Sequence, residues 1–357
     1  MKWFFNSQNH RRMKRILFSP FWQCKILWIS LSCIFLLNSC RTTETIVEII
    51  LAGTFYERLA ERWAPIHYQD VDVTGSHSLS GRSDYIMAID YDNDWKTINN
   101  WEHLEDHYHR KDKAVCYYSI CQTSTHWFLI YAFYHPRDWC DYFDLGLDTH
   151  ENDLEGLLMV VKRPAEYDAY DFGDLLGIIT VYHHDFFSYI APGSPLESNH
   201  EDIDGTLEMA SFDGQINEGA LHPKTAQQSK GHGLKAYPQV SIEGGDGIIY
   251  YPSLDHSEKP SGPNDRDVKY ELIDIFEEDG LWDHRNDSDT FHSWGIFKGD
   301  DGQNNSAKAP WKWDDRNDGS DLQGGELAND PAKITNIYFS NLGDFSRAYE
   351  LNKYQNN

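Results

Sequence analysis

Residues Tyr131–Lys162, YAFYHPRDWCDYFDLGLDTHENDLEGLLMVVK, decide how this chain is read. The aromatic run His126–Tyr134 predicts a strand that ends at Pro136, since proline has no N–H for a sheet ladder. Asp138 then enters a loop, which returns through Asp148 and His150 to Asp153 and Glu155. Those two acids open a second apolar strand over Leu154–Lys162. In a strand, residues two apart share a face, so Asp153 and Glu155 point the same way. His150 lies three residues earlier in the turn, and Asp138 closes the neighbouring strand. Asp138, His150, Asp153 and Glu155 can therefore converge at one end of a strand pair. Three carboxylates and an imidazole suit a hard divalent cation such as Ca²⁺, Mg²⁺ or Mn²⁺, with water in the open positions.

Over Ala114–Lys162 the chain resembles the necrosis- and ethylene-inducing peptide-like proteins, a cytolytic family. The family pattern is Tyr-x-Trp-Tyr-x-Pro-Lys-Asp, a loop, and then Gly-His-Arg-His-Asp-Trp-Glu. Here it reads Tyr131-Ala132-Phe133-Tyr134-His135-Pro136-Arg137-Asp138, then Thr149-His150-Glu151-Asn152-Asp153-Leu154-Glu155. The resemblance implies a metal-binding β-sandwich and places the family's ligands on Asp138, His150, Asp153 and Glu155. The chain departs from the pattern at Thr149, Asn152 and Leu154, and its intervening loop is longer. These changes keep the ligand set but leave toxicity and substrate unassigned.

Outward from this segment, charge divides the chain of 357 residues. Residues 1–39 hold six basic groups and no acid; the remainder carries 25 basic against 57 acidic groups, or −32. So acidic a body excludes a generic nucleic-acid partner, because phosphate binding needs clustered Lys and Arg. Arg11, Arg12, Lys14 and Arg15 precede the 12-residue apolar run Ile26–Leu37. That run has the length of a signal-peptide core and is too short to span a bilayer. Leu37-Asn38-Ser39-Cys40 has the form of a bacterial lipobox, which makes Cys40 the expected lipidation site. Arg41 after it suits export to the outer membrane or cell surface. The expected location is therefore the bacterial cell envelope, with the membrane as a partner through lipidated Cys40. Cys116, Cys121 and Cys140 would remain in the mature chain, enough for one disulfide of undetermined pairing.

Residues 1–39 thus read as a lipoprotein signal peptide and 40–63 as a lipid-anchored helix or linker. The helix spans Thr43–Trp63 and stops at Pro65. Residues 64–357 read as a single metal-binding β-sandwich domain with insertions and long decorated loops. Mainly β structure follows from β-type runs broken by Gly, Asp, Asn and Pro clusters, with aromatic content at 14%. Further strands are expected at Asp84–Asp90, Ala114–Gln122, Gly177–Tyr182, Gly247–Tyr251 and Ile334–Phe339, and a helix at Val268–Glu278. Asn199–His232 is polar and reads as a long loop. Asp279–Asp330 reads as ordered loops pinned by Trp282, Trp294, Trp311 and Trp313.

Other histidines offer chemistry. His232, between Gly231 and Gly233, could approach a ligand closely, as a fifth site residue or a general base. His184, in His183-His184-Asp185, is the second candidate base. His103 and His107 have i, i+4 spacing, but Leu104 stands where HExxH needs Glu, so a solvated segment is expected there. Asp90–Asp94 and Asp314–Gly319 recur in acidic spacing without matching an EF-hand.

Two functions follow. One is a lipid-anchored envelope protein whose cation recognises a glycan or lipid head group, with membrane perturbation implied by the resemblance. The other is a metal-dependent hydrolase with His232 or His184 as base. Three anionic ligands would depress the pKa of bound water less than neutral histidines do, which weighs against the second. A second metal held by Asp148 and Glu151 would remove that objection.

Overall fold

The computed structural model describes residues 55–106, 111–140, 149–215, 219–242, 246–300, 305–316 and 322–355. The expected signal peptide, Cys40 and the first part of the expected helix lie outside them. Residues 55–63 are helical (α1). The strands are β1 (Ile66–Asp70), β2 (Val115–Thr123), β3 (His126–Asp138), β4 (His150–Lys162), β5 (Asp174–Tyr182) and β6 (Asp185–Ile190). They continue as β7 (Glu197–Ser198), β8 (Gly205–Thr206), β9 (Met209–Ala210), β10 (His222–Gln227), β11 (Leu234–Ala236), β12 (Gly247–Ser253) and β13 (Val268–Asp274). β14 (Phe291–Ser293) pairs with β15 (Ile296–Phe297), β16 (Phe339–Ser340) with β7, and β17 (Tyr349–Leu351) with β2.

The chain is mainly β, but the expected two-sheet sandwich is replaced by one large mixed sheet. Its order is β11-β10-β1-β12-β13-β2-β3-β4-β5-β6-β8. The sheet curls into a half-barrel, so that β11 returns to lie against β5 and β4. Strand periodicity cannot separate this from a sandwich, because both fill one apolar layer from facing β surfaces.

β3 and β4 form the spine, paired from His126↔Lys162 to Asp138↔His150. Both are buried along almost their whole length, as strands covered on two faces must be. On the concave face α1 closes one end of the curl. Tyr131 Oη donates to Ala60 O at 2.6 Å and Tyr270 Oη to Pro65 O at 2.7 Å. On the convex face, Trp313 lies over the small pair Ala132 and Gly156, and its Nε1 donates to Leu154 O at 2.8 Å. Trp282, Trp311 and Trp313 are buried as anticipated, whereas Trp294 stands half-exposed.

Several local expectations are corrected. Asp84 ends a 3-10 turn (Leu79–Asp84), and an irregular segment follows it where a strand was expected. Ile334–Tyr338 belongs to a helix started by Pro331 and capped by the Asp330 carboxylate. Val268–Asp274 is a strand, parallel to both β12 and β2, whose alternating exposure suits a sheet better than a helix. The polar stretch after Asn199 contains β10, whose buried His222, Thr225 and Gln227 find partners inside the curl. Cys116, Cys121 and Cys140 are all free thiols.

Candidate metal centre

β5 pairs with β4 only from Leu157 onward, so residues 150–156 run past the β5–β6 turn with an open edge. A cavity of about 1020 Å³ opens along that edge. Asp138, His150, Asp153, Glu155 and His184 all line it. The structure therefore brings the four expected ligands to one cleft, together with one of the two candidate bases.

A break in strand alternation makes this convergence work. Asn152 adopts a left-handed backbone with φ +61°. Glu151 and Asn152 consequently both turn to the convex side. Glu151 accepts from Trp101 N and Asp300 N, each at 3.0 Å. Asn152 donates to Thr97 O and Lys298 O at 3.0 and 3.1 Å, and accepts from Tyr134 Oη and Asn100 Nδ2 at 2.6 and 2.8 Å. Both donors and both acceptor positions of its amide are thus used. With two successive residues on one side, His150 turns back to the face of Asp153 and Glu155. Its Nε2 lies 3.5 Å from Asp138 Oδ2. Glu151 is thereby directed away from any second metal position beside Asp153, and Asp148 lies outside the described residues.

Glu155 is the most informative of the four. It is buried, and its Oε1 accepts the His183 N–H at 2.7 Å, while Oε2 has no hydrogen-bond partner. Burial, and then the neighbouring Asp153 carboxylate, push its pKa well above the usual carboxylate range. In the same cleft wall, buried Trp139 leaves its indole Nε1 without a partner. Both residues line the cavity, and each leaves one buried polar atom without a partner, an arrangement that protein interiors otherwise avoid. Three carboxylates and an imidazole are donor types that a hard divalent cation takes, but no three of these four residues bring ligand atoms within 4.8 Å of one another.

His232 takes a different place from the one its flanking glycines suggested. Those glycines let residues 228–233 press against the β5–β6 turn. A Cβ on Gly231 would lie 2.8 Å from the His183 ring, and one on Gly233 2.6 Å from the Tyr182 ring. The His232 side chain turns inward, fully buried, between two carboxylates. Its Nδ1 is 3.1 Å from Asp153 Oδ2 and its Nε2 is 3.2 Å from Asp84 Oδ1. Burial alone would lower its pKa, but hydrogen bonds to Asp153 and Asp84 outweigh that and raise it to about 9. His232 is therefore an imidazolium that holds Asp153 in place. The His135 ring stacks parallel on it at 3.7 Å and is kept neutral, mainly by burial.

Asp84 was absent from the sequence-derived site. Its carboxylate also accepts Asp72 N–H and Lys230 N–H, both at 2.8 Å, and so ties residues 228–233 to β1. It lies 148 residues from His232 in sequence, which no local motif reports. His184 sits on the cleft rim, its pKa lowered chiefly by burial. Among the described residues, the group that brings three ligand atoms within 4.8 Å of one another is Asp92, Asp94 and His103. It is a candidate metal group outside the cleft, and His107 lies beyond the described residues. Asp314 is paired with Lys308 and Arg316.

No protein-family model and no curated protein sequence matches the chain. Solved structures do. The non-toxic HaNLP3 protein matches at 15% identity, covering 50% of this chain and 77% of its own, with a TM-score of 0.26. A structure reported as a toxin fold for microbial attack and plant defense matches at 16% identity over 50% and 66%, TM-score 0.28. The necrosis and ethylene inducing protein 2 from the causal agent of cocoa's witches' broom disease matches at 18% over 43% and 62%, TM-score 0.24. Three structural neighbours of this chain are therefore necrosis- and ethylene-inducing peptide-like proteins, distant ones that share about half of it.

Proposed function

We propose that the cleft binds one divalent cation through Asp138, His150, Asp153 and Glu155, and through it recognises a glycan or lipid head group. The observation that carries this reading is Glu155, a buried carboxyl that lines the cleft and whose Oε2 has no hydrogen-bond partner. A cation held there can share its remaining coordination positions with vicinal hydroxyls. Binding is favoured over turnover because His232 is sealed between carboxylates and protonated at neutral pH, so it has no lone pair to act as a base. We place the protein in the cell envelope, anchored by acylated Cys40.

Calorimetric titration of the full chain with Ca²⁺, Mg²⁺ and Mn²⁺ tests the metal. Asp153→Asn should abolish one binding event that His103→Ala leaves intact. An isotherm unchanged by Asp153→Asn would sink the cleft as the metal centre. Glycan and head-group binding with and without chelator then tests the ligand; chelator-insensitive binding would remove the cation from recognition.

A further inference from the structure

The β5–β6 turn consists of His183 and His184, between the paired strand ends Tyr182 and Asp185. His183 has a backbone φ of +59°. Two-residue hairpins favour glycine or asparagine at such a position, because most side chains are strained there. Strain of this kind persists only where the surroundings over-determine it.

Here they do so from three sides. The His183 N–H donates to Glu155 Oε1 at 2.7 Å, and the ring Nδ1 lies 3.4 Å from the same oxygen. The ring Nε2 accepts from Gln228 Nε2 at 2.9 Å, so the ring proton sits on Nδ1, the nitrogen nearer Glu155. Gln228 is itself fixed. Its side-chain carbonyl accepts from Tyr182 Oη, its N–H donates to Gly233 O at 3.1 Å, and its main-chain carbonyl accepts from Gln69 Nε2 at 3.2 Å. Gly231 then passes so close that a Cβ would lie 2.8 Å from His183 Cε1, which leaves the ring little room to turn away.

We infer that His183 is a positioning residue whose main-chain N–H and imidazole together engage Glu155 Oε1, leaving Oε2 as the one oxygen this carboxylate offers a cation. The inference rests on the reading of Glu155 as a ligand. An oxygen has two lone pairs, and two nitrogens of His183 face those of Oε1, whereas buried Oε2 has no partner. A carboxylate bound through one oxygen fills one coordination position rather than two, so more positions stay open to the hydroxyls of a ligand. Groups placed behind a metal-binding carboxylate fix its orientation, and removing one weakens metal binding by about ten- to a hundredfold. A residue serving the turn alone would be better as glycine, and its replacement would leave binding untouched.

His183→Gly separates the two roles, because glycine suits the positive φ and lacks the ring. The full chain is titrated with Mn²⁺ by calorimetry, and the binding event that Asp153→Asn abolishes is followed in wild type, His183→Gly and Glu155→Gln. Metal-free His183→Gly should unfold in urea at or above the wild-type midpoint, yet bind Mn²⁺ about tenfold more weakly. Wild-type affinity in His183→Gly, with binding lost in Glu155→Gln, would overturn the positioning role and spare the ligand. Weakened binding together with a lowered urea midpoint would make His183 a turn residue and overturn it as well. Wild-type affinity in both variants, or no Mn²⁺ event that depends on Asp153, would overturn both readings together.

Discussion

Tyr134 donates its hydroxyl to Asn152 Oδ1 at 2.6 Å, and this bond pins the one left-handed residue of β4. Without that conformation, His150 and Asp153 would lie on opposite faces of the strand. Asn152→Ala loses four hydrogen bonds and strains a positive φ, and should cost about 3 kcal/mol. Asn152→Gly relieves the strain alone and should cost less. Divalent affinity should fall in both, more in the alanine variant. Urea unfolding and titration calorimetry measure the two effects; a fully stable Asn152→Ala with normal affinity would show that this amide does not set the face of His150.

Glu155→Gln separates stability from binding. Burying an amide costs less than burying a carboxyl beside Asp153, so the metal-free variant should be as stable as wild type or more so. Wild type should gain about 2.7 kcal/mol at a cation concentration one hundred times its Kd. The variant should gain almost nothing. Thermal melts across a Mn²⁺ series give the comparison, and equal gains would remove Glu155 from the ligand set.

Removing His232 should do more than remove a ring. His232→Leu leaves Asp84 and Asp153 buried with their shared cation gone, at a cost of about 3–5 kcal/mol. Asp84→Asn keeps an acceptor for Lys230 N–H and should cost less. A His232→Leu protein unfolding at the wild-type denaturant midpoint would contradict the ion-pair geometry.

Acid should act on the fold through its buried neutral histidines. Burial lowers His67 to about 3 and His126 and His222 to about 4, so the folded chain keeps all three neutral. Below pH 6.5 the unfolded chain takes up protons that the folded chain refuses. These three groups should therefore lower stability from pH 6.5 toward 4, by up to about 1.4 kcal/mol per pH unit for each histidine, against buried Glu151 and Glu155, whose raised pKa values act the other way. His67→Phe, which preserves stacking on Phe133, should flatten one share of the slope. Urea midpoints of both proteins at pH 7, 6 and 5 would show it; the same slope in wild type and His67→Phe would mean that this ring is not held neutral.

Gly156 makes room for the convex cover. A Cβ there would lie 2.0 Å from Tyr131 O and 2.7 Å from Trp313 Cη2, and the first of these is backbone. Gly156→Ala should cost about 3 kcal/mol and raise Trp313 from the sheet. Red-shifted tryptophan emission with a lowered melting temperature is the expected signature. Unchanged emission and melting would mean that the sheet can shift to admit a methyl group.

The β3–β4 spine and the four cleft residues were legible in Tyr131–Lys162 because strand pairing and ligand chemistry are both local there. Apolar runs marked the strands and the acids clustered within one hairpin, but β3 runs on through Pro136, where the strand was expected to end, to Asp138. Even so, period-two alternation would have sent His150 to the wrong face, since nothing local shows that Asn152 is left-handed.

The rest was decided by contacts between residues far apart in the chain. Asp84, His232 and Asp153 meet only because the sheet curls and brings β11 back against β4 and β5. The same closure hides His232 from the cleft and turns a candidate base into a buried cation. A strand pattern specifies which residues face an apolar layer, but not whether one curled sheet or two separate sheets close over it. The sequence by itself determined the hairpin and its cluster of acids; the curl of the sheet determined which of its residues share a cavity with distant ones, because only closure brings distant side chains within hydrogen-bonding range.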